Sequence, residues 1–126
     1  MRFGYTILYV DDVASALDFY GKAFGLPTRF LHDSGSYGEL ETGATALAFV
    51  SRTMMREIGK TPQPPVLAQP TCEIALMTDD VAAAVKRAVA EGATLVQEPK
   101  DMPWGQTIAY VGDINGFLVE LCTAMG

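Results

Sequence analysis

The feature that most constrains the fold is an internal repeat. Residues 7–17 read Ile-Leu-Tyr-Val-Asp-Asp-Val-Ala-Ser-Ala-Leu, and residues 75–85 read Ala-Leu-Met-Thr-Asp-Asp-Val-Ala-Ala-Ala-Val. Asp11 and Asp79 occupy the same place in the two copies and lie 68 residues apart. In both copies a strand-like run ends in two aspartates, and apolar residues at helical spacing follow. The repeat therefore predicts two copies of one supersecondary unit.

Each copy predicts the element order β-α-β-β-β. The helices are expected over about 13–24 and 81–90, each opened by an aspartate that can cap free N–H groups and closed by Gly25 or Gly92. Glycine-containing turns separate the strand-like runs. The strands are predicted at 3–10, 28–32, 37–41 and 45–51, and again at 72–76, 94–98, 106–111 and 117–123. We expect an α+β fold in which two βαβββ modules form curved, cupped mixed sheets around a cavity.

A single domain is expected over residues 1–126. Module one covers about 1–58 and ends in a short helical turn, a linker covers about 59–70, and module two covers about 71–126. Proline fixes φ and removes a hydrogen-bond donor, so the proline-rich linker cannot join a central strand. It is interpreted as a plain connector, or alternatively as a lid over a pocket.

Charge and hydropathy narrow the range of partners. The net charge of −6 without a basic stripe argues against nucleic acid and anionic membranes, and is compatible with a cationic ligand. Apolar runs are too short to span a membrane, and no secretory signal is recognisable, so a cytoplasmic protein is expected. Cys72 and Cys122 lack the spacing of a zinc site and are predicted to be buried thiols, with a disulfide as the alternative.

Two phrases carry a family resemblance. Tyr-Val-Asp-Asp-Val-Ala-Ser-Ala-Leu-Asp-Phe-Tyr-Gly-Lys-Ala-Phe-Gly-Leu, at residues 9–26, resembles the first strand and helix of the vicinal-oxygen-chelate superfamily. Pro-Trp-Gly-Gln-Thr-Ile-Ala-Tyr-Val-Gly-Asp-Ile-Asn-Gly-Phe-Leu-Val-Glu-Leu, at 103–121, resembles its closing hairpin. The superfamily includes glyoxalases, bleomycin-resistance proteins and extradiol dioxygenases. The resemblance implies a small-molecule ligand and a homodimer, but no single activity.

The resemblance also implies where a metal would bind. Enzymes of the superfamily hold a divalent metal with His, Glu or Gln from the first and last strands of each half. The repeat assigns those positions to Tyr5, Ala48, Glu73 and Glu120. Alanine cannot bind a metal and neutral tyrosine is a poor ligand, so Glu73 and Glu120 are the candidate metal ligands of an incomplete site. We expect no resident cofactor, with weakly bound Mg²⁺ or Mn²⁺ as the alternative.

Five residues are predicted to contact the ligand. Glu73 and Glu120 interrupt apolar strands, where a carboxylate needs a partner or water, and Glu120 is the candidate catalytic residue should the protein be an enzyme. Trp104 lies on a Pro- and Gly-containing loop and could form a stacking wall or a plug at the rim. The predicted ligand-contacting residues are Tyr5, Phe49, Glu73, Trp104 and Glu120. Tyr37 and Tyr110 are interpreted as core residues, and His32 with Asp33 as a surface pair.

Three functions follow as hypotheses. The preferred one is a metal-independent binder, similar to bleomycin-resistance proteins that give antibiotic resistance, which sequesters an aromatic or cationic compound. The alternative is a divalent-metal-dependent lyase or dioxygenase. A pure interaction module is the third, and it predicts no pocket. Whether the protein is an enzyme stays open at this point.

Overall fold

The computed structural model describes residues 1–125, and the order of its strands and helices is the one that the repeat predicts. The first module comprises β1 (Tyr5–Val10), α1 (Val13–Phe24), β2 (Thr28–Leu31), β3 (Tyr37–Leu40), β4 (Ala46–Ser51) and a short added helix, α2 (Arg52–Glu57). The second comprises β5 (Glu73–Met77), α3 (Val81–Ala90), β6 (Thr94–Asp101), β7 (Thr107–Gly112) and β8 (Leu118–Cys122). The bounds of α1 and α3 are the predicted ones. Strand β6 continues to Asp101, three residues beyond its predicted end at residue 98.

Each module forms one mixed four-stranded sheet. The strand orders are β1-β4-β3-β2 and β5-β8-β7-β6, with one parallel pair in each sheet and antiparallel pairs elsewhere. Neither sheet closes on itself. Tyr5 pairs with Ala46 and Glu73 pairs with Leu118, so the parallel pairs have equivalent registers in the two copies. The α+β class and the two βαβββ modules are confirmed.

The chain divides into two compact units, Met1–Pro64 and Pro65–Gly126, here called the first and the second unit. Their boundary falls inside the linker predicted at 59–70. Gly126, the last residue of the predicted second module, lies outside the described residues. That residues 1–126 act as a single domain stays a prediction.

Caps fix the ends of the two longer helices. The Asp12 carboxylate accepts a 3.0 Å hydrogen bond from the Ser15 N–H, and the Asp80 carboxylate does the same for Ala83 at 3.0 Å. Gly25 ends α1 in the left-handed region with φ of 71°, which costs little only in glycine. The paired aspartates of the repeat are therefore helix starts. None of the helices within residues 1–125 is long and apolar enough to cross a membrane.

The core of the first unit lies between α1 and its sheet. Tyr20 and Phe49 are both fully buried, with ring centroids 5.1 Å apart. Gly38 on β3 allows the close approach, because a Cβ there would lie 2.7 Å from Leu17 Cδ1 and 3.2 Å from Val13 Cγ1. In the second unit, buried residues of α3 such as Val81 cover the corresponding face of the sheet.

Arg52 connects α2 to the end of β1. Its guanidinium is buried and donates a 3.0 Å hydrogen bond from Nε to Oδ1 of Asp11, with which Nη2 also forms an ion pair at 3.0 Å. Nη1 donates a 2.8 Å hydrogen bond to the Tyr9 carbonyl oxygen. The Arg52 guanidinium holds the pKa of Asp11 below its usual range, by hydrogen bonding first and by its charge second. The contact fixes the orientation of α2 relative to β1.

The last part of the linker belongs to the second unit, where Leu67 packs against β7. A Cβ at Gly112 would lie 2.4 Å from Leu67 Cδ2, so the glycine leaves room for the Leu67 side chain. One sequence expectation fails nearby, since Cys72 is exposed and only Cys122 is buried. Cys72 immediately precedes β5 and lies outside its paired residues, which leaves it exposed.

Candidate functional site

In each unit the longer helix covers one face of the sheet, and we call the opposite side the helix-free face. Side chains alternate between the faces of a strand. On β1, Leu8 and Val10 are buried, and Leu8 pairs with Phe49, which packs against Tyr20 of α1. Tyr5, Ile7 and Tyr9 therefore lie on the helix-free face. Their cross-strand partners on β4 are Ala46, Ala48 and Val50. Tyr5 is 59% exposed on this face.

A pocket lies on the helix-free face of the first unit. Its volume is about 410 Å³, within the range of about 300–1,000 Å³ in which proteins hold drug-sized ligands. The lining residues are Ile7, Tyr9, Tyr37, Val50, Met54, Met55 and Lys60. Four of the seven are aliphatic or thioether side chains and two are tyrosines. The lining is therefore suited to a flat apolar molecule, because thioether sulfur makes favourable contacts with aromatic rings.

Helix α2 supplies one wall of this pocket. The Ser51 hydroxyl caps it by accepting a 3.0 Å hydrogen bond from the Met54 N–H, and Met55 is buried against the unit while Met54 is 37% exposed. Beyond the helix, Gly59 adopts a φ of 94°. The Lys60 N–H then donates to the Met55 carbonyl oxygen at 2.9 Å, and the Gly59 N–H donates to the Arg56 carbonyl oxygen at 3.0 Å. This is a Schellman ending, and it fixes the backbone of Lys60 at the pocket.

Tyr37 joins the pocket to a carboxylate. Its hydroxyl donates a 2.7 Å hydrogen bond to Oε2 of Glu39, two residues further along β3 and on the same face. Burial raises the pKa of Tyr37 above its usual value, and the hydrogen bond to the Glu39 carboxylate adds to the rise. The hydroxyl therefore keeps its proton and presents only acceptor lone pairs to a ligand.

The second unit places carboxylates on the equivalent face. Glu73 and Glu120 both lie on its helix-free face, and we call them the acidic pair. The Tyr110 hydroxyl donates a 3.0 Å hydrogen bond to Oε1 of Glu120 across the β7–β8 ladder. The first unit has Tyr5 and Ala48 at the equivalent positions, so the two faces differ in charge.

The acidic pair and the burial around it shift the pKa values of neighbouring groups. Desolvation of the carboxyl group raises the pKa of Glu73, although the residue as a whole is exposed, and Glu120 adds to the rise by its charge and by a hydrogen bond. Burial first, and Glu120 second, raise the pKa of Tyr110 to about 12 and the pKa of the Cys122 thiol to about 11. At neutral pH the pair is therefore surrounded by protonated hydroxyl and thiol groups.

A divalent transition metal fits this donor set poorly. Within residues 1–125 no three His, Cys, Asp or Glu side chains come together in a group that could hold a metal ion. Cys122 is buried and does not complete such a group with Glu73 and Glu120. The acidic pair can instead bind a cationic group of a ligand or share a proton.

The remaining predicted residues lie elsewhere. Phe49 sits in the core under α1, on the face opposite Ala48, which corrects its prediction as a ligand-contacting residue. Trp104 lies in the β6–β7 turn, is 60% exposed, and donates from Nε1 to the Gln106 Oε1 at 2.7 Å. His32 is exposed and contacts the Ser34 hydroxyl at 2.7 Å, where a pair with Asp33 was predicted.

Sequence reasoning missed most of the first-unit pocket. Tyr37 was interpreted as a core residue and Lys60 only as part of the linker, and Met54 and Met55 were not among the predicted ligand-contacting residues. Ile7, Tyr9 and Val50 could have been found by alternation, because they share a face with Tyr5 and Ala48. The position of Lys60 could not, because it depends on how α2 ends.

Comparisons with known proteins agree with this geometry. The family model described as the Glyoxalase/Bleomycin resistance protein/Dioxygenase superfamily matches residues 2–121. An uncharacterized protein of Mycobacterium bovis is 33% identical over 114 residues, which cover 86% of this chain and 74% of that protein.

Solved structures with the same fold are more distant in sequence. A glyoxalase-related enzyme from Fulvimarina pelagi has a TM-score of 0.83 at 20% identity, with 98% of this chain and 88% of that chain covered. A glyoxalase/bleomycin resistance protein/dioxygenase family enzyme from Burkholderia phytofirmans has a TM-score of 0.80 at 18% identity, with 99% and 100% covered. Likeness at these identities shows the fold alone.

Proposed function

The chain belongs to the glyoxalase/bleomycin resistance protein/dioxygenase superfamily, and we propose that it is a small-molecule binding protein that sequesters an aromatic compound without metal chemistry. The observation that carries this proposal is the pocket of about 410 Å³ on the helix-free face of the first unit. Its two tyrosines and two methionines suit an aromatic ring, and its size suits a ligand of drug-like dimensions.

Binding is the better proposal than catalysis for this pocket. General acid–base chemistry needs a group with a pKa near the working pH within reach of the substrate. The lining contains no carboxylate, imidazole or thiol, and the Tyr37 proton is held by Glu39. The pocket can therefore enclose and orient an apolar molecule, but it offers no group poised to move a proton at neutral pH.

The acidic pair carries the remaining parts of the proposal. Glu73 and Glu120 would bind a cationic group on the second unit, and Trp104 would stack on a flat ligand from its exposed turn. Quenching of the fluorescence of Trp104, the single tryptophan, tests the latter role.

A homodimer is expected from the family, and size-exclusion chromatography with light scattering tests it.

The second candidate is a divalent-metal-dependent lyase or dioxygenase, with Glu120 as its catalytic residue. It is favoured by one observation, the two carboxylates at positions where enzymes of the family hold metal. Calorimetric titration with Mn²⁺, Ni²⁺, Zn²⁺ and Mg²⁺ tests it. Micromolar binding that is lost in Glu120→Gln would favour the enzyme, and no binding would favour the metal-free binder.

The direct test of the proposal uses metal-stripped protein and a neutral aromatic probe, N-phenylnaphthylamine, whose fluorescence rises in apolar surroundings. We expect saturable binding by the wild type and its loss in Ile7→Trp, where the larger side chain enters the pocket from a position that is 44% exposed. Phe3→Trp is the matched control, since Phe3 is 70% exposed and does not line the pocket. Equal binding by both variants would refute the proposed site.

A further inference from the structure

We propose that the first-unit pocket selects aromatic molecules that carry one anionic group, and that Lys60 recognises this group. This inference rests on the proposed function, because it assigns the ligand class of the same pocket. The net charge of −6 suggests that the whole chain prefers cations, whereas this pocket is proposed to prefer an anion. The charge of the pocket lining decides which ligand charge is preferred, and Lys60 is the one charged side chain among the lining residues.

The position of Lys60 is built into the fold. The Schellman ending of α2 holds its backbone through the 2.9 Å hydrogen bond to the Met55 carbonyl oxygen. Gly59 permits this turn with its φ of 94°, and Met55 is itself buried in the unit. The ammonium group therefore starts from a fixed point at the pocket and loses less conformational freedom on binding than a lysine on a mobile loop.

The ammonium group is also available. None of the ion pairs within residues 1–125 uses Lys60. None of the residues that line the pocket is acidic. Asp11 is paired with Arg52, and Glu39 accepts the hydrogen bond of the Tyr37 hydroxyl. An anionic ligand group would thus supply the partner that the protein does not provide.

The other lining residues determine which uncharged part of a ligand the pocket can hold. Ile7, Val50, Met54 and Met55 offer apolar and thioether surface, and Tyr9 and Tyr37 offer ring faces. The Tyr37 hydroxyl donates to Glu39, so it would accept a hydrogen bond from a ligand N–H or O–H but would not donate one to an anion. The anionic group is therefore expected at the Lys60 end, with the ring system over the methionines and tyrosines.

Two probes that differ in one charged group test the inference. Anilinonaphthalene sulfonate carries an anionic sulfonate, and N-phenylnaphthylamine has the same ring system without it. Lys60→Met is expected to lower the affinity for the anionic probe about fivefold relative to the affinity for the neutral probe. This is the upper range for the contribution of a solvent-exposed ion pair. Lys60→Arg is expected to keep the preference, and added salt to reduce it.

A matched lysine controls for net charge. Lys86→Met on α3 of the second unit removes the same charge from a residue that does not line the pocket, and it is expected to leave both affinities unchanged. Thermal melts confirm that each variant is folded. If Lys60→Met weakens neither probe, or weakens both equally, the assignment of Lys60 is overturned while the pocket stands. If the folded wild type binds neither probe, the proposed function fails as well.

Discussion

Tyr37 and Glu39 are two residues apart on β3 and share one face of the sheet, where the Tyr37 hydroxyl donates a 2.7 Å hydrogen bond to Oε2 of Glu39. Tyr37 lines the pocket of the first unit, and Glu39 holds its hydroxyl group. Both side chains are half-buried, so each depends on the other for part of its hydrogen bonding.

Removal of this hydroxyl is expected to destabilise the protein. Tyr37→Phe leaves the half-buried Glu39 carboxylate without its donor, which costs about 1 kcal/mol of unfolding free energy. Urea denaturation measures the loss. Tyr5→Phe is the matched control on the same face, where the residue is 59% exposed, and it should change the unfolding free energy by less than about 0.5 kcal/mol. Equal effects of the two variants would contradict the role of the hydrogen bond.

Tyr110 is expected to make stability fall in alkaline solution. The pKa of Tyr110 is raised from 10.0 to about 12 in the folded protein, so between these values the folded state keeps a proton that the unfolded state releases. The unfolding free energy therefore decreases as pH rises across this window. Urea denaturation of the wild type and Tyr110→Phe over the window measures the difference, and parallel pH profiles would show that the Tyr110 hydroxyl is not perturbed.

Glu73→Gln is expected to stabilise the protein at neutral pH. The pKa of Glu73 is raised above 4.5 in the folded state, so the folded protein binds more protons than the unfolded one in the window above that value. Ionisation of Glu73 thus lowers the unfolding free energy as pH rises through the window, and glutamine avoids this loss.

The advantage of Glu73→Gln should shrink as pH falls below 4.5, where the carboxyl group is protonated in both states. Thermal melts at a series of pH values measure it. Glu98→Gln, at an exposed position on β6, provides the comparison within the same unit. A gain that is independent of pH would mean that the charge of Glu73 is not its cause.

Arg52→Met is expected to loosen α2. The substitution leaves the Tyr9 carbonyl oxygen without its 2.8 Å donor, which costs about 1 kcal/mol, and it frees Asp11. The pKa of Asp11 is lowered, so the stability from its pair with Arg52 is present above the unfolded value of 3.8 and is lost as pH falls through the folded pKa.

Arg56→Met on the same helix is the control for Arg52→Met, because Arg56 is exposed and its charge is the smallest of the causes that act on the Asp11 pKa. Urea midpoints of the two variants should differ more at neutral than at acidic pH. The loss of the Tyr9 hydrogen bond acts at both pH values, whereas the loss of the Asp11 pair acts only where Asp11 is ionised. The same midpoint for both variants at neutral pH would contradict the account.

The helices could be predicted from the sequence because their ends are chemically marked. Asp12 and Asp80 cap the starts, and Gly25 takes the left-handed conformation at one end, so the predicted bounds of α1 and α3 match the structure. Strand ends carry no such marks, and β6 therefore extends beyond its predicted end. The repeat fixed the equivalence of Glu73 with Tyr5, which the strand registers confirm.

The site was less predictable for two physical reasons. Strand β4 is buried throughout, so its composition does not distinguish its two faces, and Phe49 was assigned to the ligand-binding face. Alternation would have excluded this assignment, because Ala48 lies on that face and Phe49 on the other. Lys60 reaches the pocket only because α2 ends in a left-handed glycine after a capped start at Ser51. Such a contact depends on tertiary geometry that linker composition does not encode.

Amide NMR of the labelled protein with the neutral probe tests the central claim most directly, because it locates a bound small molecule residue by residue. The account predicts that shifts concentrate on the pocket lining, including Ile7, Val50 and Met55, and disappear in Ile7→Trp while persisting in Phe3→Trp. The absence of saturable shifts in the folded protein, or shifts confined to the second unit, would contradict a ligand pocket on the first.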